Sequence, residues 1–167
     1  MRITNTIALS LILASLFLLS ACEQQANSNQ TNPNRISYEA NVHDKTFGNH
    51  IIHINALTTD QLPTEVAKAY KISRSKNRAM MNVSIREKNA DGETPVSANI
   101  KVTAKNLTNQ LKNMSVREIK ETDPLAIYYI GELPVSNEET LVFEIDITPA
   151  GTSEPILLSY RQQFFTQ

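Results

Sequence analysis

Five cations, Lys68, Lys71, Arg74, Lys76 and Arg78, fall within eleven positions with no acid between them. A run of this kind suits an anionic partner such as a phosphate head group, a glycan carboxylate or an acidic protein face, and Arg74 can hold such oxygens bidentately. The candidate binding set is Arg74, Ser75, Lys76, Asn77 and Arg78. The same residues admit a plainer role as a solvated loop whose charges keep a sheet edge from pairing with other molecules. The histidines, His43, His50 and His53, also cluster, so a metal site has to be weighed, with Asp44 as a fourth ligand. His50 and His53 lie three apart in a predicted strand and therefore face opposite ways, which favours ordinary surface or core imidazoles. Hydrolytic chemistry has no support: there is no Gly-x-Ser-x-Gly elbow or glycine-rich phosphate loop, and the four glycines read as turn or strand-end residues. Paired carboxylates such as Glu118 with Glu121, or Glu138 with Glu139, fall in turn and strand-end contexts that fit solvation. No catalytic residue, metal or cofactor is assigned.

The single cysteine is the other chemically distinctive residue. Arg2 is the only charged side chain before Glu23, and a largely apolar run follows from Ile7 to Leu19. That run is signal-peptide length and too short for a bilayer, which needs about 20 apolar residues. It ends in Leu19-Ser20-Ala21-Cys22, which resembles the lipobox of bacterial lipoproteins. In such proteins the cysteine thiol receives a diacylglyceryl group, the chain is cleaved before it, and the new amino terminus is acylated. Several acyl chains at roughly 0.8 kcal/mol per buried methylene make a permanent anchor. Glu23 at the following position favours the outer membrane over the inner by the same analogy. Once Cys22 is acylated no thiol remains for a disulfide, a metal or nucleophilic catalysis.

These features set the domain plan. Residues 1–21 form the signal peptide. Residues 22–35 form the acylated cysteine and a tether, whose sequence from Glu23 to Arg35 is too polar to bury a core. Residues 36–167 form one domain, long enough for a single core. A formal charge of −1 points away from nucleic acid. The expected location is the cell envelope, lipid-anchored and facing the periplasm.

Period-two alternation dominates that domain. The firmest strands span 50–57, 81–85, 96–104 and 141–147, each with one apolar and one polar face. Weaker strands are predicted at 36–42, 115–120, 126–133 and 156–165. The Ala90-Asp91-Gly92 and Pro149-Ala150-Gly151 segments are turn signals. Leu62-Pro63-Thr64-Glu65 opens a short helix ending near Tyr70, and a second short helix or turn covers 106–111. Both are expected to bridge two sheets. Eight short strands at this spacing predict an all-β, antiparallel sandwich of immunoglobulin-like architecture. Tyr128 and Tyr129 should place one phenol in the core and one on the surface as a flat contact.

The stretches Ala67 to Arg78, Asn82-Val83-Ser84, Arg117-Glu118-Ile119 and Ala126-Ile127-Tyr128-Tyr129-Ile130 resemble domain-of-unknown-function family 4426, small exported proteins of gammaproteobacteria. The resemblance runs from about Phe47 to Phe165; its most specific parts are Tyr70 to Asn77 and the Ile-Tyr-Tyr-Ile strand. Pro124-Leu125 is a departure, where a shorter acidic lead-in is expected. The resemblance implies a periplasmic β-sandwich and no particular reaction. The reading at this level is a non-catalytic interaction or accessory module that binds an envelope protein or anionic envelope component. A small-ligand or metal carrier using His43, His50 and His53, and an uncharacterised enzyme, stand as alternatives.

Overall fold

The computed structural model describes the backbone of residues 36–39 and all of residues 44–167. The expected signal peptide and tether, with Cys22 and His43, lie outside the described residues.

The chain forms two packed sheets. Strands β1 (Ile36–Glu39), β2 (Asp44–Phe47) and β3 (His50–Thr58) come first, followed by a 3-10 turn (Thr59–Gln61) and helix α1 (Thr64–Ala69). Then come β4 (Arg78–Asn89), β5 (Gly92–Pro95), β6 (Ala98–Asn106), β7 (Leu111–Lys112), β8 (Val116–Thr122), β9 (Leu125–Pro134), β10 (Glu139–Pro149) and β11 (Ile156–Phe164). One sheet has the order β1-β11-β10-β6-β7 and the other β2-β3-β4-β9-β8, with β5 paired to the far half of β4. Taking β3, β4, β9 and β8 as strands A, B, E and D, and β6, β10 and β11 as C, F and G, gives the strand order of an immunoglobulin sandwich. The expected antiparallel pairing holds with one addition: β1 runs parallel to β11.

Alternation builds the core. Ile52, Ile54 and Ala56 of β3 and Met81, Val83 and Ile85 of β4 meet Leu141, Phe143, Ile145 and Ile147 of β10, with Leu158 and Tyr160 of β11 behind them. Phe143 is central, with its ring 6.4 Å from Tyr160 and 6.5 Å, edge to face, from Phe164. Full burial of such a side chain is worth roughly 1.5–3 kcal/mol.

Of the short helix or turn expected over 106–111, the turn forms: the Asn106 carboxamide oxygen accepts the N–H groups of Thr108 and Gln110 and closes it. This is the local competition by which asparagine favours turns over helices. Two expectations are corrected. Helix α1 does not bridge the sheets, because it connects β3 to β4, neighbours in one sheet. The strand predicted from Val96 begins at Ala98, since Val96 and Ser97 belong to the crossover between sheets.

Tyr129 secures that crossover. Its ring is buried in the core, and its hydroxyl accepts the Ala98 N–H at 2.6 Å and reaches Glu118 at 3.3 Å. Tyr129→Phe leaves the Ala98 N–H without its acceptor and is expected to cost about 1–3 kcal/mol. Urea denaturation checks this, as a lower midpoint at unchanged slope.

Candidate functional site

An antiparallel sheet that faces water is normally polar on that side. The outer face of β3, β4 and β9 is not, because Leu57, Met80, Tyr128 and Ile130 all point outward. Residues 59–77, the β3–β4 connection, lie over this face. Leu62, Ala67 and Ile72 close a second small core with Met80 and Ile130.

The connection ends its helix tightly. Lys71 takes the left-handed conformation (φ 56°), the Lys71 N–H bonds the Lys68 carbonyl, and the Ile72 N–H reaches the Ala67 carbonyl at 2.8 Å. This is a Schellman motif with lysine where glycine is usual, and Ile72 against Ala67 is its accompanying apolar contact. Thr59, fully buried, holds the return leg: its hydroxyl is shared between the carbonyls of Ser73 (2.9 Å) and Ser75 (3.1 Å) and accepts the Ser75 N–H (2.9 Å).

The candidate binding residues divide sharply in this setting. Arg74 spends its guanidinium on the connection itself, donating to Thr64 Oγ1 (3.1 Å) and the Asp60 carbonyl (2.5 Å). Arg78 pairs with Glu132 at 2.9 Å, and Arg117 donates to the Tyr70 carbonyl at 2.6 Å while lying 3.7 Å from Glu132. Ser75 accepts the Asn77 N–H through its hydroxyl, and the Asn77 carbonyl accepts the Val135 N–H. Lys68, Lys71 and Lys76 are different: all three are exposed, and no ion pair among the described residues engages their ammonium groups. Tyr128 lies half-buried on the outer face, its ring 6.3 Å from Tyr70, whereas Tyr129 belongs to the main core.

Tyr70 is itself anchored, its hydroxyl donating to Glu121 at 2.5 Å. Burial first, and then this bond to a carboxylate, pushes its pKa up from 10.0 to about 12.

The histidines do not converge. His50 is buried on the core side of β3, while His53 faces outward with Nδ1 2.6 Å from Asp44 Oδ1. Among the described residues no group of three His, Cys, Asp or Glu side chains is placed to hold a metal. Ser84 stands opposite His53 in the β3–β4 register, so an Asp-His-Ser row crosses three strands. His53 Nε2 is shielded and makes no hydrogen bond, so the row contains no joined nucleophile and base.

With this geometry in view, comparison with known proteins places the domain. The model of a domain of unknown function, DUF4426, matches residues 44–167. The chain belongs to the DUF4426 family. It is similar to a DUF4426 family protein from Pseudomonas aeruginosa PAO1, solved as a crystal structure at 2.09 Å resolution. The two share 31% identity with a TM-score of 0.62, over 73% of this chain and 93% of that one. No curated protein matches. Within this DUF4426 domain, the distinctive Tyr70 to Asn77 stretch supplies Tyr70, Ile72, Arg74 and Ser75, all of which hold the connection in place.

Two outcomes follow from these anchors. Lys71→Gly removes the left-handed penalty on a side-chain-bearing residue, and the unfolding free energy should rise by about 1 kcal/mol, read from chemical denaturation. Tyr70 must stay neutral in the fold, so its stabilising contribution is complete below pH 10.0 and is lost as pH climbs toward about 12. Burial raises the pKa values of Tyr129 and Tyr160 in the same direction. Stability measured across that window should therefore fall steeply, and Tyr70→Phe should flatten part of the slope.

Proposed function

We propose that the mature protein is a lipid-anchored envelope module that binds an acidic face of another envelope component through Lys68, Lys71 and Lys76, without catalysis. The observation carrying this reading is that these three ammonium groups are exposed and make no ion pair among the described residues, on a connection that Thr59 and Arg74 hold in place. Binding residues concentrate where a rigid scaffold holds a connecting segment. Lysines left free on such a support can form charge-assisted contacts without first breaking internal ones. Arg74 and Arg78 act as positioning residues for that surface.

The address rests on the sequence. The Leu19-Ser20-Ala21-Cys22 run supports export and acylation at Cys22, Glu23 supports the outer membrane, and the polar stretch to Arg35 supports a tether that holds the domain off the bilayer in the periplasm. No helix among the described residues is long and apolar enough to cross a membrane. The unjoined His53 Nε2 argues against hydrolysis at the Asp44-His53-Ser84 row, and the opposed faces of His50 and His53 argue against a carrier that uses both on one metal.

A photoreactive residue at position 76 in living cells tests the reading. The expected result is a discrete protein adduct that falls roughly tenfold when Lys68→Glu and Lys71→Glu are combined, as charge complementarity requires. Absence of any adduct at normal expression overturns the contact surface. Cys22→Ser should abolish metabolic labelling with palmitate and release the protein from the membrane fraction.

A further inference from the structure

At the end of the sandwich away from the β3–β4 connection, one inward-facing residue breaks the apolar alternation of β3. His50 precedes Ile52, Ile54 and Ala56 on the core side, and only 8% of its surface is accessible. Thr58 and Thr59, also buried, are both bonded: Thr58 accepts from Gln61, and Thr59 holds Ser73 and Ser75. No hydrogen bond engages the His50 imidazole among the described residues, yet neither ring nitrogen is sealed from solvent. His50 lines a cleft of about 480 Å³ between the β2–β3 turn and the β10–β11 turn. The first turn pivots on Gly48 (φ 58°), as tight hairpins require, so Phe47 and His50 stand directly opposite each other on the inner face. Across the cleft, the β10–β11 turn brings Pro149, Ser153 and Glu154. Buried polar groups are nearly always bonded, so an unbonded imidazole open to a cleft marks a place for a partner from outside.

We propose that this cleft binds a neutral sugar ring, with a ring hydroxyl on the His50 imidazole. Charge disfavours the other ligand classes. No Lys or Arg lines the cleft, so an anion finds no countercharge. Glu154 is the only acid in the lining, and it is exposed, where an ion pair with an ammonium is worth little. Hydroxyls fit what remains. An imidazole nitrogen donates when it carries the proton and accepts when it does not, and a sugar hydroxyl can answer either. The Asn49 amino group is engaged by Glu87, which leaves its carbonyl oxygen to accept, and the Glu154 carboxylate accepts as well. The walls are therefore rich in acceptors, as a ligand rich in O–H donors requires. Phe47 and Pro149 supply apolar surface for the C–H face of a pyranose. None of the three lysines proposed above as a contact surface lines this cleft, so the two sites stand or fall separately.

The test uses the whole protein with isotope-labelled histidine, purified in a sugar-free detergent. Imidazole signals are followed by NMR while glucose, galactose or N-acetylglucosamine is added to millimolar levels. At least one sugar should shift the His50 signals saturably and leave those of His53, on the opposite face, unmoved. Ser153→Trp, at an exposed position on the rim, should abolish that shift while the remaining spectrum stays native. Glu154→Ala should weaken binding roughly tenfold. A β-1,4-linked dimer of the sugar that binds, held more tightly than the single ring, would assign the site to a glycan chain; no gain would assign it to a free sugar. Acetate or methylammonium shifting His50 as strongly as the sugar overturns the neutral ligand class, and glycerol doing so overturns the ring. No shift from any of the three sugars, or a shift that survives Ser153→Trp, overturns the site.

Discussion

The outer face of the β3-β4-β9 sheet carries an apolar patch at Leu57, Met80, Tyr128 and Ile130, and most of this structure is a response to that fact. Met80 and Met81 point opposite ways from adjacent positions, and Tyr129 points away from Tyr128 and Ile130 on either side of it. The β6-β10-β11 sheet can cover only the inner set. Left bare, the outer set would form a contiguous apolar patch at the centre of a sheet, the kind of surface that drives association. The β3–β4 connection therefore cannot be a tight hairpin. It has to be long enough to fold back across its own sheet, and α1 with the Leu62, Ala67 and Ile72 side chains is the result.

Covering apolar surface with an irregular segment raises a second difficulty, because each peptide group drawn away from water needs a partner. The connection meets it piece by piece: the Schellman bonds take the carbonyls of Ala67 and Lys68, Thr59 takes those of Ser73 and Ser75, Arg74 takes Asp60 and Arg117 takes Tyr70. The split between arginine and lysine is physical. A guanidinium offers five donors in a fixed fork and is weakly hydrated, which suits it to staple carbonyls and carboxylates. An ammonium is strongly hydrated and stays in water. The basic run thus separates into internal fasteners, Arg74 and Arg78, and a solvent-facing set, Lys68, Lys71 and Lys76.

Part of this was legible in the chain. Alternation marked β3, β4, β6 and β10 because each keeps one face in the main core, and Pro63 with Glu65 marked α1. Strands β2, β5 and β7 escaped notice because they are short edge elements without an apolar alternation, ordered by the strands they join. The parallel direction of β1 is carried by no local pattern. The position of α1 could have been inferred from Leu57 and Met80, apolar residues on faces that alternation would make wet. The cationic run was visible as a cluster, yet which cations are spent depends on Asp60, Thr64 and Glu132, all brought close only by the fold.

The two cores also differ in what they can withstand. The main core is closed by both sheets, and losing it unfolds the domain. The second rests on Leu62, Ala67, Ile72, Met80 and Ile130, under a helix of six residues. An isolated helix that short has no stability of its own, so its order derives from this packing and from the Thr59, Arg74 and Tyr70 anchors. Local opening of the connection must therefore require less free energy than global unfolding, and it uncovers Met80 and Ile130 without disturbing the sandwich. The closed form is the one that fixes the directions of Lys68, Lys71 and Lys76, so the free energy of that local opening sets how constantly the three are presented together.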